Sequence, residues 1–195
     1  DSLEGLAALR PLNAYGYSKM LFDQYAARQS DRGQSPGQWA GLKFFNVYGP
    51  NEYHKGGMKS VVAQIWPKVQ ADQPVTLFRS HNPNYPDGGQ LRDFVFVDDV
   101  VEAFLRAGAS DAVNGDVFNV GGSEPISHRD LVEMLIEIAG SGSVRYVEWP
   151  EEKKAIDIGS FYSDSTKFQT AVGWSPEVPL RDGLRAAVEY YRAHL

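Results

Sequence analysis

The chain has 195 residues, of which 43% are hydrophobic, 12% aromatic and 23% charged, enough apolar side chain for a sizeable core in a soluble globular protein. No run approaches the roughly 18 consecutive apolar residues of a membrane span, and Asp1-Ser2-Leu3-Glu4-Gly5 has neither the basic nor the apolar region of a secretory signal. The absence of cysteine excludes disulfides, thiolate zinc sites and cysteine nucleophiles and agrees with a cytoplasmic location; 19 Lys+Arg against 25 Asp+Glu, net −6, with no dense basic run, argues against a nucleic-acid partner.

Pro11 and Asn13 are start signals for a helix from Tyr15 to about Ser30. Ser30 to Gly37 is turn chemistry, and Gly41-Leu42-Lys43-Phe44-Phe45 reads as a short buried strand closed by the Tyr48-Gly49-Pro50 turn. From Met58 to Ala71 the residues Val61, Val62, Ile65, Trp66 and Val69 fall at helical spacing, with Pro67 expected to kink or divide the helix. Val75 to Phe78 is a brief strand. The Pro- and Gly-rich stretch from Arg79 to Leu91 is a long loop of the kind that is either functional or disordered. Phe94-Val95-Phe96-Val97 reads as a strand, with Asp98 or Asp99 capping a helix to about Ala109. A strand from Val117 to Val120 leads through Gly121-Gly122 to a helix over Ser127 to Ala139, with Ser127 and Asp130 at capping-box spacing. Val144 to Trp149 is a further strand. Asp164 caps a short helix ended by Gly173-Trp174-Ser175-Pro176, and a helix from Leu180 to Leu195 closes the chain. The alternation predicts an α/β fold.

Tyr15-Gly16-Tyr17-Ser18-Lys19 puts a phenol and an ammonium on one helical face. A nearby ammonium favours the phenolate, so the pair suits acid/base work; the plainer alternative is an aromatic helix start beside a solvated lysine. Arg92 and Arg79 carry guanidinium forks that match a diphosphate, against the plainer reading of Arg92 as a surface arginine paired with Asp93. Lys55 is either a chemical group or a flexible loop lysine beside a glycine pair. Asp98-Asp99 has no companion cluster at ligand spacing, so a helix cap is favoured over a metal site. His54, beside Lys55, is a candidate substrate contact; His81, His128 and His194 read as solvated, and Gly121-Gly122-Ser123 as a simple turn.

Taken in order, Tyr15-x-x-x-Lys19, Phe44-Phe45-Asn46-Val47-Tyr48-Gly49-Pro50, Arg92-Asp93-Phe94-Val95-Phe96-Val97-Asp98-Asp99-Val100 and Phe118-Asn119-Val120-Gly121-Gly122 form a series. It resembles the extended short-chain dehydrogenase/reductase superfamily, specifically its nucleotide-sugar epimerases and dehydratases, from Tyr15 to Tyr191. Within that group, Asn46 to Val61 is most similar to the ADP-L-glycero-D-manno-heptose 6-epimerase family. The resemblance implies a Rossmann-type parallel-sheet enzyme with a smaller α/β substrate domain, acting on a nucleotide-diphosphate sugar with NAD or NADP and assembling as a homo-oligomer. Tyr15, Lys19 and Lys55 match catalytic residues, and Tyr15, Lys19, Val47 and Lys55 match cofactor contacts. Asn46, His54, Gly57, Phe78, Arg79, Ser80, His81 and Arg92 match the substrate site, and no metal is implied.

Two departures stand out: Gly57 replaces a frequent hydroxyl residue, and Asp157 stands where the heptose enzymes carry a substrate-contacting tyrosine. The segment from Glu151 to Tyr162 is closer to hexose 4-epimerases or dehydratases, which supply the second reading. A non-catalytic nucleotide-sugar-binding module supplies a third, from another class. No Gly-x-x-Gly-x-x-Gly or Gly-x-Gly-x-x-Gly occurs. The expectation is therefore a C-terminal portion of a longer enzyme, inactive alone. Residues 1–50 would be the last part of the Rossmann domain; residues 51–195 would be mainly substrate domain, with some segments returning to the sheet.

Overall fold

Asn13 starts the first long helix, α1 (Ala14–Asp31), by accepting the Gly16 N–H on Oδ1 at 2.8 Å. Strands β1 (Ala40–Phe44) and β2 (Asn46–Tyr48) follow, in place of one strand ending at Phe45. A 3₁₀ helix, Tyr53–Met58, which the apolar spacing did not indicate, precedes α2 (Val61–Gln70). Pro67 lies within α2 and does not divide it: the helix runs on through it to Gln70. Pro67 is exposed, while Val62, Ala63, Trp66 and Val69 bury the opposite face, and this packing outweighs the one missing N–H.

Next come β3 (Pro74–Phe78), the long loop, β4 (Leu91–Arg92), β5 (Phe94–Phe96) and α3 (Val97–Gly108). Because α3 starts at Val97, Asp98 and Asp99 sit inside its first turn, where negative charge is favourable; Asp99 also accepts the Glu177 and Val178 N–H groups. Strands β6 (Asp116–Val120) and β7 (Ile126–Ser127) lead to α4 (His128–Ala139), capped by Ser127 Oγ on the Asp130 N–H. β8 (Ser143–Val147) and α5 (Glu151–Lys154) precede α6 (Thr166–Val172), whose N-cap is Ser165, with Asp164 one residue earlier accepting the Thr166 N–H. The last described element is α7 (Leu180–His194).

The computed structural model describes residues 2–122, 124–154 and 157–194, apart from the side chains of Glu152 and Lys153. Ser123 of the expected Gly-Gly-Ser turn, and Ala155 and Ile156 of the hexose-like segment, lie outside the described residues.

The chain folds as two units that it enters and leaves in turn. The first comprises Asp1–Phe44, Val100–Val120 and Asp164–Ser175. Within it β1 and β6 pair in parallel, Ala40 opposite Asp116 through Phe44 opposite Val120, over a core of Ala103, Ala107, Val113, Phe118, Val120, Phe168 and Trp174. Helix α1 buries only Asp23, which pairs with Lys43 of β1, while Leu21, Phe22 and Tyr25 remain exposed.

The second unit comprises Phe45–Asp99, Gly121–Ser163 and Pro176–Leu195. In it β2 pairs with β5 and β3 with β8, both in parallel, and β4 pairs with β7 antiparallel. Its larger core joins α2, α4 and α7 around Trp66, Leu131, Leu135, Leu184 and Tyr191, each at most 1% exposed. At about 1.5–3 kcal/mol per fully buried large apolar side chain, this core is the main source of the unit's stability. The parallel pairings with intervening helices make this an α/β fold of the Rossmann-like kind, as expected.

Candidate functional site

In the first unit Tyr15 and Lys19 share a face of α1, the Lys19 Nζ lying 5.1 Å from the centre of the Tyr15 ring. Both are exposed, Tyr15 at 72%, and both line a cavity of about 980 Å³ walled by Ser18, Phe22, Trp39 and Lys43 among others. Helical spacing alone brings these two groups together.

In the second unit the segment after β2 builds a closed loop. Asn51 takes a left-handed conformation (φ 64°), and its Oδ1 accepts the Tyr190 hydroxyl at 2.6 Å. Glu52, 5% exposed, accepts the Ser60 N–H at 2.7 Å and the Ser60 hydroxyl at 2.6 Å. Ser60 also caps α2 by accepting the Ala63 N–H. His54, Lys55 and Gly57 ride on this loop, all exposed, with Lys55 Nζ 3.8 Å from Glu52 Oε2. Glu52 was not singled out by the sequence reading; its partner is eight residues away and outside any helical or strand period.

Asn46, at the start of β2, donates its side-chain N–H to the Asp93 carbonyl at 2.7 Å, and Val47 pairs opposite Val95 of β5. The Asp93 carboxylate is 1% exposed and receives the Ser163 hydroxyl and N–H, while burial pushes its pKa up. Arg92 therefore does not make the surface pair with Asp93 that the plainer reading anticipated. It is half-buried, and its Nη1 donates to the Leu91 carbonyl at 2.8 Å and the Gly159 carbonyl at 2.5 Å. Burial lowers its pKa, and the Asp157 charge opposes that shift.

The other expected substrate residues lie at the end of β3. Phe78 packs on Trp149 at 4.7 Å between ring centres, and the His81 ring meets the edge of Trp149 at 5.0 Å. His81 is not free in solvent as its own sequence context suggested, because its Nε2 lies 2.9 Å from Asp157 Oδ2. Arg79 is exposed and pairs with Asp87 at 3.2 Å and Glu148 at 3.4 Å, and the Ser80 N–H donates to Asp87. His128 also departs from the solvated reading. Burial first, and the Arg92 charge second, lower its pKa to about 4. Trp149 is thus a residue of this cluster that the sequence did not flag, and Asp157 one that it named only as a departure from the heptose pattern. Among the described residues, no group of three or more His, Asp or Glu side chains is arranged to hold a metal ion.

Comparison with known proteins gives this geometry a context. The ADP-L-glycero-D-manno-heptose-6-epimerase of Nitratidesulfovibrio vulgaris strain DP4 is 46% identical over 145 residues, covering 74% of this chain and 43% of that protein. The protein of the same name from Fusobacterium nucleatum is 37% identical over 204 aligned positions, covering 98% of this chain and 59% of the relative. The chain thus spans about half the length of the curated relatives it matches. Among solved structures, the Thermus thermophilus UDP-glucose 4-epimerase in complex with NAD superposes with a TM-score of 0.78 at 30% identity, covering 95% of this chain and 56% of that one. The profile that describes the NAD dependent epimerase/dehydratase family matches residues 2–121, which include Tyr15, Lys19, the Lys55 loop and Arg92. With well over half of its length matched in this way, the chain belongs to the NAD dependent epimerase/dehydratase family.

Proposed function

We propose that this chain is the part of a nucleotide-sugar epimerase that carries the acid/base groups and the substrate site, with an ADP-glycero-manno-heptose as the best-supported substrate. The observation that carries the reading is Tyr15 and Lys19 on one face of α1, lining one cavity; in the second unit, separately, a closed loop presents Lys55 to solvent. The names of the curated relatives support the choice of sugar nucleotide.

A phenol and an ammonium facing a cavity of about 980 Å³ fit the hydroxyl-rich ribose of a dinucleotide, so the exposed donors suit the NAD of the family. When bound, NAD supplies reversible hydride acceptance at the sugar carbon. Lys19 holds the nicotinamide ribose and stabilises the Tyr15 phenolate. Tyr15 takes the proton of the substrate hydroxyl at its phenolic oxygen, and returns it when the centre is restored. Lys55 serves as the second acid/base, and Val47 lies beside the cofactor. Asn46, His54, Gly57, Phe78, Arg79, Ser80 and His81 bind the sugar nucleotide, with Arg92 on its diphosphate. In this reading residues 1–50 belong mainly to the cofactor domain and residues 51–195 mainly to the substrate domain. The enzyme works as a cytoplasmic homo-oligomer.

A UDP-hexose 4-epimerase is the second reading, favoured by Asp157 and by the likeness to the Thermus thermophilus enzyme. Turnover separates the two. The gene's full product, assayed with ADP-heptose and UDP-hexoses, is expected to invert the heptose. Tyr15→Phe should reduce kcat by about 10²–10⁴-fold, the usual share of an acid/base group. Activity within about threefold of the parent would remove Tyr15 from the mechanism.

A further inference from the structure

Asp157 connects two of the residues assigned to the substrate. Its side chain is only 5% exposed, and a carboxylate so buried is costly unless its oxygens are satisfied. Three donors from distant parts of the chain and from its own turn do this. His81 Nε2 lies 2.9 Å from Oδ2, Gln90 Nε2 donates to the same oxygen at 3.4 Å, and the Gly159 N–H donates to Oδ1 at 3.1 Å. The last contact folds residues 157–159 into a turn in which Gly159 has φ 65°, a conformation that suits glycine. A side chain there would also meet the Tyr85 hydroxyl at 2.9 Å. The turn aims the Gly159 carbonyl at Arg92 Nη1, 2.5 Å away.

The arrangement has a consequence for Arg92. Nη1 spends its two hydrogens on the Leu91 and Gly159 carbonyls, so among the described residues the Nε–Nη2 edge of the guanidinium remains open. That edge is a bidentate fork suited to two phosphate oxygens. Neighbouring contacts hold the strap in place: the Ser160 N–H donates to the Tyr85 hydroxyl, Leu91 N–H to Ser160 Oγ, and Phe161 N–H to the Leu91 carbonyl.

We propose that Asp157 is a positioning residue for the diphosphate of the nucleotide sugar, orienting the open fork of Arg92 through the Gly159 carbonyl while fixing the His81 ring. This rests on the functional reading above, in which Arg92 meets the diphosphate. Asp157 itself touches no phosphate; its charge acts through the turn and the imidazole.

The increment between a nucleoside diphosphate and its monophosphate reads the fork directly, and a merely structural role would lower both affinities together. Isothermal titration of the 195-residue chain with ADP, AMP, UDP and UMP is the experiment, since the residues concerned all lie in its second unit. The unmodified chain is expected to prefer at least one diphosphate over its monophosphate by about tenfold or more, as for a charge-assisted bidentate contact. Arg92→Lys, which keeps the charge and loses the fork, should bring the ratio within about twofold. Asp157→Asn should do the same with monophosphate affinity within about threefold, and the double variant should lose little more. Should Asp157→Asn fail to fold by circular dichroism, Asp157→Ala, which leaves no side-chain oxygen to accept the Gly159 N–H, is read by the same ratio. A chain with no diphosphate preference overturns the functional reading of Arg92 and this inference together. A preference lost in Arg92→Lys and kept in the Asp157 variant overturns the role of Asp157 alone, as does an equal loss of both affinities.

Discussion

Glu52 closes the loop that carries Lys55 by gripping Ser60, taking its N–H and its hydroxyl on separate carboxylate oxygens at 2.7 and 2.6 Å. Charge-assisted bonds to a buried carboxylate each contribute about 1.5–3 kcal/mol, so this clasp, with the Gln64 side chain on the Lys59 carbonyl at 2.6 Å, holds residues 52–60 in place. It also holds the first turn of α2, because the same Ser60 hydroxyl accepts the Ala63 N–H.

Opening the clasp should expose the loop to protease before the fold as a whole is lost. Glu52→Gln retains the shape and removes the charge, leaving one Ser60 donor poorly matched. Trypsin cuts after Lys55 and Lys59, so the rate of cleavage at those two bonds reports the opening. An increase of about tenfold or more is expected, corresponding to about 1.4 kcal/mol of local stability, while the circular dichroism spectrum is unchanged. Equal cleavage rates in the two proteins would mean that the loop is held by something other than this pair.

Tyr191 gives a simpler measure of buried polar pairing in the second unit. It is 1% exposed, its ring lies 5.9 Å from that of Trp66, and its hydroxyl donates to the Gly49 carbonyl at 2.9 Å. Tyr191→Phe preserves the ring contacts and orphans that carbonyl. The expected loss is about 1–3 kcal/mol in urea unfolding, with the m-value unchanged. A loss below about 0.5 kcal/mol would show that water replaces the hydroxyl.

Local signals were legible where the chain satisfies its own backbone. Asn13 and Ser127 cap helices on the N–H three residues on, and Gly173 ends α6 in the left-handed region. The Tyr15–Lys19 pair was legible for the same reason, since helical spacing alone brings it together. Non-local partners were not. Asp157 meets His81 and Gln90 across separations of 76 and 67 residues, and Arg92 reaches Gly159 across 67, distances over which no periodicity in the chain carries information. His128 read as solvated because it opens an amphipathic helix beside charged residues; its burial comes from packing that only the folded unit supplies. Of the two outcomes expected of Pro67, division of the helix does not occur, because the apolar face of α2 holds the two turns on one surface.

Lys55 offers the kinetic separation of heptose from hexose chemistry. A 6-epimerase inverts an exocyclic carbon, and a base on each side of the reacting centre is then useful. A 4-epimerase that turns the ketosugar within its site can use Tyr15 in both directions. Lys55→Met keeps the aliphatic stem, and because Lys55 is exposed, little packing is lost. In the gene's full product with ADP-heptose, kcat should fall by about 10²-fold or more, the range for a lost general base. An effect confined to KM would identify binding that is uniform between ground and transition states, and would move the assignment to the 4-epimerase reading.

His128 makes the stability of the second unit depend on pH in a definite direction. Burial, and then the charge of Arg92, lowers its pKa from 6.5 to about 4, with Asp157 opposing; the N-terminal position in α4 also disfavours a cation. In the unfolded chain the imidazole titrates near ~6.5, so between pH ~4 and ~6.5 the unfolded state binds a proton that the folded state refuses. Stability therefore rises with pH across that window and is lost on acidification through it, by up to about 3 kcal/mol for a shift of this size. Asp93 acts with the opposite sign, since burial raises its pKa from 3.8 and its folded form takes up a proton more readily. A comparison within one background separates the two. His128→Asn removes the imidazole titration and leaves Asp93 in place, so thermal midpoints measured from pH 7 to 4.5 should fall less steeply in the variant. Equal slopes in the two proteins would mean that His128 carries its proton in the folded state as readily as in the unfolded one.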